Sequence, residues 1–222
     1  MNDLIQQEIF EIEVLAWLKN KGFLRNMIFG GGTMLRLCYG LKRYSIDLDF
    51  WTYRVDKIDQ FFLNLKDSLK ADYDLTDAQN KYYTLLFEIK KVPYPRKLKI
   101  EIRKENKEND FRETIAYSPY SNRQVLLKSF TLEQMMKNKM GALLDRKEIR
   151  DVFDIEFLIR KGVNISANYE ELKKIKEIIE GFKKRDYYVT LGSLLDDDTR
   201  EYYKKDNFTY LLGIIDECLS RK

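Results

Sequence analysis

Asp47 and Asp49 stand two residues apart in the run Ser-Ile-Asp-Leu-Asp-Phe, residues 45–50. In an extended strand, residues i and i+2 project from the same face with Cα atoms about 6.6 Å apart. Ile46, Leu48 and Phe50 alternate with the two acids, which predicts a strand carrying both carboxylates on one face. Two like charges placed so closely repel, and they ask for a cation, either a metal ion or a basic side chain. A pair of this kind can hold divalent ions about 3.5–4 Å apart, the geometry of two-metal phosphoryl chemistry. Glu101, within Lys-Leu-Lys-Ile-Glu-Ile-Arg at 97–103, is the expected third carboxylate. Ile100 and Ile102 face one way, so Glu101 faces the other, with Lys99 and Arg103. Glu88 is the alternative if Glu101 turns away. Upstream, Gly30-Gly31-Gly32-Thr33 follows a short apolar run and opens a helical pattern. Such a turn presents backbone N–H groups at a helix N-terminus, which suits phosphate. Arg36, Lys42 and Arg43 lie between the turn and the acids, where each either contacts phosphate or pairs with Asp47 and Asp49.

The residue types that are missing narrow the chemistry further. None of the 222 residues is histidine. A Ser-His-Asp triad, a Cys-His pair and a His-bound zinc are therefore excluded. Catalysis has to rest on carboxylates, lysines, tyrosines or oxygen-bound metals. Two cysteines, Cys38 and Cys218, are too few for a disulfide framework and read as inert thiols in a reducing compartment. The 40 Lys and Arg against 36 Asp and Glu leave a net charge of only +4, which excludes a histone-like basic tail but not a basic cleft. Apolar residues at 44% and aromatics at 14% supply a sizeable core and exclude wholesale disorder. The first residues mix acids into their apolar pattern, unlike a signal peptide, and no run reaches the ~18 apolar residues of a membrane span. A cytoplasmic protein without a membrane segment is expected.

The elements that must position these groups follow from periodicity. A first helix runs from Leu4 to Leu18, with Gly22 ending it. Met27 to Phe29 forms a buried strand, Thr33 to Tyr39 a helix ended by Gly40, and Ile46 to Phe50 the acidic strand. Residues 56–70 return to helical spacing. Tyr82 to Ile89 and Lys97 to Arg103 read as strands, and 104–124 reads as polar and irregular. Thr131-Leu-Glu-Gln134 has the pattern of a capping box, opening a helix through Lys139 and Leu143. Further helices are expected at 149–159, at 168–184 and, in one piece, from about Thr199 to Leu219. The fold class is α+β, a mixed sheet with flanking helices followed by a C-terminal helical bundle, with parts at 1–124 and 125–222.

The segment GGTMLRL followed by YGLKRYSIDLDF resembles the first motif of the AbiEii/AbiGii toxin family, within the DNA polymerase β-type nucleotidyltransferase superfamily. KNKMGALLDRKEIRDVFDIEFLI, residues 137–159, resembles that family's second motif, and the strand of Glu101 lies between the two. The resemblance implies a nucleotidyltransferase-like sheet whose helical part completes the active-site cleft. It implies that Gly31, Gly32 and Thr33 cradle a nucleotide and that Asp47 and Asp49 bind metal. Lys139 would lie near the triphosphate, with Arg146 and Arg150 at the motif's basic positions. Asp151 matches the acid of the last motif, with Asp154 as the other candidate. Leu41 departs from the family's frequent His, and Glu101 from its common Asp. Lys139 and Arg146 are seven residues apart and share one helical face, whereas Lys137 points elsewhere.

Together these features predict an enzyme that uses Mg2+ (two ions, with Mn2+ as a substitute) to transfer a nucleoside monophosphate from an NTP and release pyrophosphate. The resemblance implies a toxin of a toxin–antitoxin or phage-defence pair, with an RNA acceptor such as the tRNA 3′ end and a cognate antitoxin protein. Lys173, Lys174, Lys176 and the run Lys183-Lys184-Arg185 are read as a solvated helix face interspersed with Glu, which can also contact RNA phosphates. Two other readings use the same residues: a catalytically inactive nucleotidyltransferase-fold binding module, and a two-metal phosphodiesterase or nuclease.

Overall fold

The computed structural model describes residues 2–105 and 110–221, and the chain divides into two compact units, Met1–Thr131 and Leu132–Lys222. The first is built on a seven-stranded mixed sheet in the order β3-β4-β5-β2-β1-β7-β6. Its strands are β1 (Met27–Gly30), β2 (Asp47–Thr52), β3 (Asp74–Asn80), β4 (Thr84–Lys90), β5 (Leu98–Arg103), β6 (Phe111–Tyr117) and β7 (Gln124–Phe130). β2 runs parallel to β5 and β1 parallel to β7, while the remaining pairs are antiparallel.

Alternation along β2, β5 and β4 separates two chemistries. Leu48, Phe50, Leu85, Phe87, Ile89, Leu98, Ile100 and Ile102 are all fully buried and line one face. Helix α3 (Ile58–Asp72) turns Phe62, Leu65 and Leu69 inward, and Phe62 stacks on Phe87 at 5.2 Å. On the opposite face the register places Asp47, Lys99 and Glu88 in one row and Asp49, Glu101 and Leu86 in the next. Trp51, Arg103 and Thr84 form the third.

Helix α1 (Asn2–Asn20) buries Phe10, Ile12, Val14, Leu15 and Leu18, and with them the polar Gln7, Glu8 and Glu11. Gln7 Nε2 donates to the carbonyls of Ile46 and Lys97 at 3.3 and 3.4 Å, which ties α1 to the entries of β2 and β5. Helix α2 (Gly31–Tyr39) starts directly from β1, and Gly40 ends it in the left-handed region at φ 79°.

Three strands depart from the sequence reading, among them β7, which alternates buried Val125 and Leu127 with exposed Gln124 and Leu126. β3 was not expected, and β6 lies inside the segment 104–124 read as irregular; residues 106–109 of that segment lie outside the described residues. β3 and β6 are the edge strands. Only Ala116 of β6 is buried, and β3 buries no residue fully. Their pairing rests on backbone hydrogen bonds more than on burial, so neither shows the alternation of a half-buried strand.

The second unit is helical: α4 (Leu132–Arg146), α5 (Ile149–Arg160), α6 (Tyr169–Glu180), α7 (Asp197–Asp206) and α8 (Thr209–Ser220), with a π-turn at Asp186–Leu191 and a 3-10 turn at Gly192–Leu194. Asn168 and Glu171 form a reciprocal capping box on α6. The single helix expected from Thr199 to Leu219 is broken at Asn207 and Phe208, both with positive φ. Left-handed backbone costs roughly 1–2 kcal/mol per non-glycine residue. The break seats Phe208, fully buried, against Tyr187 and Tyr203 at 5.6 and 5.1 Å, and burying a Phe returns about 1.5–3 kcal/mol. No helix among the described residues is long and apolar enough to cross a membrane.

Candidate active site

The acidic cluster is positioned by β2, β5 and the turn into α2. Asp49 pairs in register with Glu101, and Asp47 with Lys99, across adjacent parallel strands. The three carboxylates thus share one sheet face, as the alternation predicts. Gly31 follows β1, whose Gly30 pairs with Asp49. A Cβ on Gly31 would lie 2.1 Å from Asp49 Oδ2, and its φ of 75° is itself one that other residues rarely adopt. The missing side chain lets the Asp49 carboxylate approach the first turn of α2, where the helix dipole favours negative charge.

The neighbouring positions are fixed just as tightly. A Cβ on Gly32 would meet Arg43 Nη2 at 2.4 Å. Arg43 is buried and donates from Nη1 to the Tyr44 carbonyl at 3.0 Å. The Thr33 hydroxyl, fully buried, donates to the Asp47 carbonyl at 2.6 Å. It therefore locks the acidic strand to the helix by a backbone contact. Arg36 pairs through Nε with Glu8, donates from Nη1 to the Leu41 carbonyl at 3.2 Å, and lies 3.7 Å over the Tyr44 ring. Its acidic partner is Glu8 of α1, 28 residues away, which no short-range signal in the sequence marks. Glu8 is held in turn by the Ser118 hydroxyl at 2.6 Å.

Lys99 is the residue whose part the sequence reading left unassigned, although the alternation in KLKIEIR puts it on this face. Its ammonium lies 3.0 Å from Glu101 Oε1 and 3.5 Å from Asp47 Oδ2. Partial burial works against its charge, but the hydrogen bond to Glu101 and the charges of Asp47 and Glu101 prevail and raise its pKa. The alternative third acid, Glu88, instead pairs with Lys97 at 2.7 Å and accepts from the Thr76 hydroxyl at 2.7 Å.

Carboxylate oxygens on a half-exposed sheet face are the donors that Mg2+ or Mn2+ takes, so the residues present fit such an ion. Among the described residues no three acidic or sulfur side chains are already gathered as a closed metal site. The position between Asp47 and Glu101 is spanned by the Lys99 ammonium.

A second cluster lies within the helical unit. Lys139 of α4 is 7% exposed at its side chain, and its ammonium sits 2.6 Å from Asp154 Oδ2 and 3.2 Å from Asp151 Oδ1; both aspartates are fully buried. Arg146 closes on Asp151 in a bidentate fork, Nε to Oδ2 and Nη2 to Oδ1, both at 2.7 Å. The seven-residue spacing of Lys139 and Arg146 thus brings both cations to one carboxylate. Arg150 pairs with Glu148, and Lys137 is exposed.

The family model described as "Nucleotidyl transferase AbiEii toxin, Type IV TA system" matches residues 14–209. The chain belongs to the AbiEii nucleotidyltransferase toxin family. In the fold it is similar to the crystal structure of JHP933 from Helicobacter pylori, with a TM-score of 0.57 at 19% identity, covering 96% of this chain and 94% of that one. A second H. pylori structure, provisionally assigned as a nucleotidyltransferase, gives 0.56 at 20% identity and covers 96% of each chain. No curated protein matches the sequence.

Proposed function

We propose that this AbiEii family member transfers a nucleoside monophosphate from an NTP to a hydroxyl of an RNA acceptor such as the tRNA 3′ end, as the toxin of a toxin–antitoxin pair. The acceptor oxygen forms a bond to the α-phosphorus, the bond to the β-phosphate bridging oxygen breaks, and pyrophosphate leaves. The observation that carries this reading is the register of Asp47, Asp49 and Glu101 on one sheet face beside the glycine turn. Asp47, Asp49 and Glu101 would hold two Mg2+ ions, which when bound supply charge neutralisation and activation of the attacking hydroxyl. Glu101, on the strand next to Asp49, is suited to accept the acceptor's proton. The backbone at Gly31–Thr33 receives phosphate oxygens at the start of α2, and Arg36, tied to Glu8 and stacked on Tyr44, steadies that helix. Lys139 and Arg146, held by Asp151 and Asp154, are proposed as contacts of the triphosphate. The family's type IV assignment supports a cognate antitoxin as partner, and a cytoplasmic setting follows from an NTP and RNA as substrates.

The test is incubation of the full chain with α-labelled NTPs, Mg2+ and total RNA, beside Asp47→Asn and Asp49→Asn. Label appearing in RNA with the wild type alone supports the proposal. Shortened RNA identifies a nuclease. Neither change, with bound NTP, identifies an inactive binding module.

A further inference from the structure

We propose that the β3–β4 turn, Lys81-Tyr82-Tyr83, is a stacking platform for the bases of a single-stranded RNA segment reaching the acidic face; the assignment of RNA as acceptor rests on the function proposed above. Turns ordinarily carry glycine, asparagine or aspartate, yet this one exposes two adjacent tyrosines at 83% and 77%. Their rings meet edge to face with centroids 4.5 Å apart. The turn is held in place: Lys81 N–H donates to the Thr84 carbonyl at 2.9 Å and Lys104 N–H to the Tyr83 carbonyl at 3.0 Å. The Lys104 ammonium closes on the Lys81 carbonyl. Two large aromatic surfaces are thereby presented to solvent by a fixed backbone, at low cost in ordering on contact.

The surroundings favour a nucleic acid. The row next to the turn is Thr84, Arg103 and Trp51, with the Arg103 guanidinium 5.1 Å over the Trp51 ring. The row behind it is Leu86, Glu101 and Asp49. Rows on one face are about 6.6 Å apart, so a strand of RNA leaving the acids meets Arg103, then the tyrosines, within a few nucleotide lengths. Lys81, Arg103 and Lys104 supply cations for its phosphates. The nearby Asp59 is engaged by Asn80 Nδ2 at 2.7 Å. Aromatic faces for bases interleaved with cations for the backbone are the working parts of single-strand binding surfaces.

The experiment compares the full-length protein with Tyr82→Ser/Tyr83→Ser and Tyr82→Phe/Tyr83→Phe. Both exposed pairs should leave the melting temperature unchanged, which checks the fold. The probe is a fluorescein-labelled single-stranded RNA of about 12 nucleotides, alone or annealed to its complement, read by anisotropy. The expected result is a loss of about tenfold or more in single-strand affinity for the Ser pair, with the Phe pair near wild type and duplex binding little changed. Unchanged single-strand affinity in the Ser pair overturns the proposal and leaves the tyrosines to a protein partner. Equal loss in the Ser and Phe pairs overturns stacking, and so does a wild type that binds no single strand. The nucleotide-transfer assay separates this from the function itself. Tyrosine-dependent RNA binding without any transfer sinks the transferase and spares the platform. Transfer that is indifferent to the tyrosines does the reverse.

Discussion

Lys99 and Glu101 sit on one face of β5, ammonium to carboxylate at 3.0 Å, and the same ammonium reaches Asp47 of the neighbouring strand at 3.5 Å. The side chain therefore supplies the counter-charge that two strand-borne carboxylates demand, at the place a divalent ion would use. A flexible four-carbon stem, more than a third exposed, can give way to a metal, but the two cations compete for the same oxygens.

Replacing Lys99 by Met should accordingly tighten Mn2+ binding severalfold, read by electron paramagnetic resonance or calorimetry, because no ammonium has to be displaced. In EDTA the same variant should melt below wild type, since the acids then repel each other. Solvent screening keeps both effects modest, about 1 kcal/mol or less. Weaker or unchanged metal binding would show that Lys99 does not occupy the metal's place.

Gly31→Ala should damage the site and the fold together. The new Cβ falls on the Asp49 carboxylate, and the residue must keep a φ of 75°. The backbone term alone costs roughly 1–2 kcal/mol, and displacement of Asp49 should abolish nucleotide transfer. Gly40→Ala is the control: it pays a similar backbone cost at φ 79° with nothing within 4 Å of its Cβ. Transfer should survive in Gly40→Ala, and equal loss in both would reduce the Gly31 effect to stability.

Much of this site is legible in the sequence because its signals are local. The i, i+2 spacing of Asp47 and Asp49 and the alternation around Glu101 fix which way side chains point before any tertiary structure is known. Much of what stayed hidden depends on distance in sequence or on edges. The Arg36–Glu8 pair joins residues 28 apart, β3 and β6 bury too little to show a period, and the break at Asn207-Phe208 is driven by a pocket between Tyr187 and Tyr203. The spacing of Lys139 and Arg146 shows a shared face, but nothing local reveals that two buried aspartates take up the Lys139 ammonium.

That burial changes what removal of Lys139 should do. Lys139→Ala would remove the ammonium that the buried Asp151 and Asp154 share, while Arg146 stays on Asp151. Breaking a buried ion pair by deleting one partner costs about 3–5 kcal/mol, so urea denaturation should show a large loss of stability. Lys137→Ala, on the exposed side of α4, should be near neutral. A triphosphate role is then best read in Lys139→Arg, which keeps the charge: a raised KM for NTP at near-native stability would support it, and native kinetics would oppose it.

Glu11 offers a pH signature of the packing behind the acidic strand. Its side chain is fully buried, and neither carboxylate oxygen has a hydrogen-bond partner. Burial raises its pKa well above 4.5, the charges of Glu8 and Asp47 raise it further, and Arg36 opposes them. A carboxyl with a folded pKa above its unfolded one contributes stability below the unfolded value and loses it as pH rises through the folded value. The wild type should therefore lose stability relative to Glu11→Met as pH is raised from about 5 to about 8. The variant also removes two unpartnered polar atoms, whose burial costs about 1–3 kcal/mol. Thermal melts across that range should show a gap in favour of the variant that widens with pH. A gap that is constant or narrows would mean that Glu11 finds a charged partner on folding.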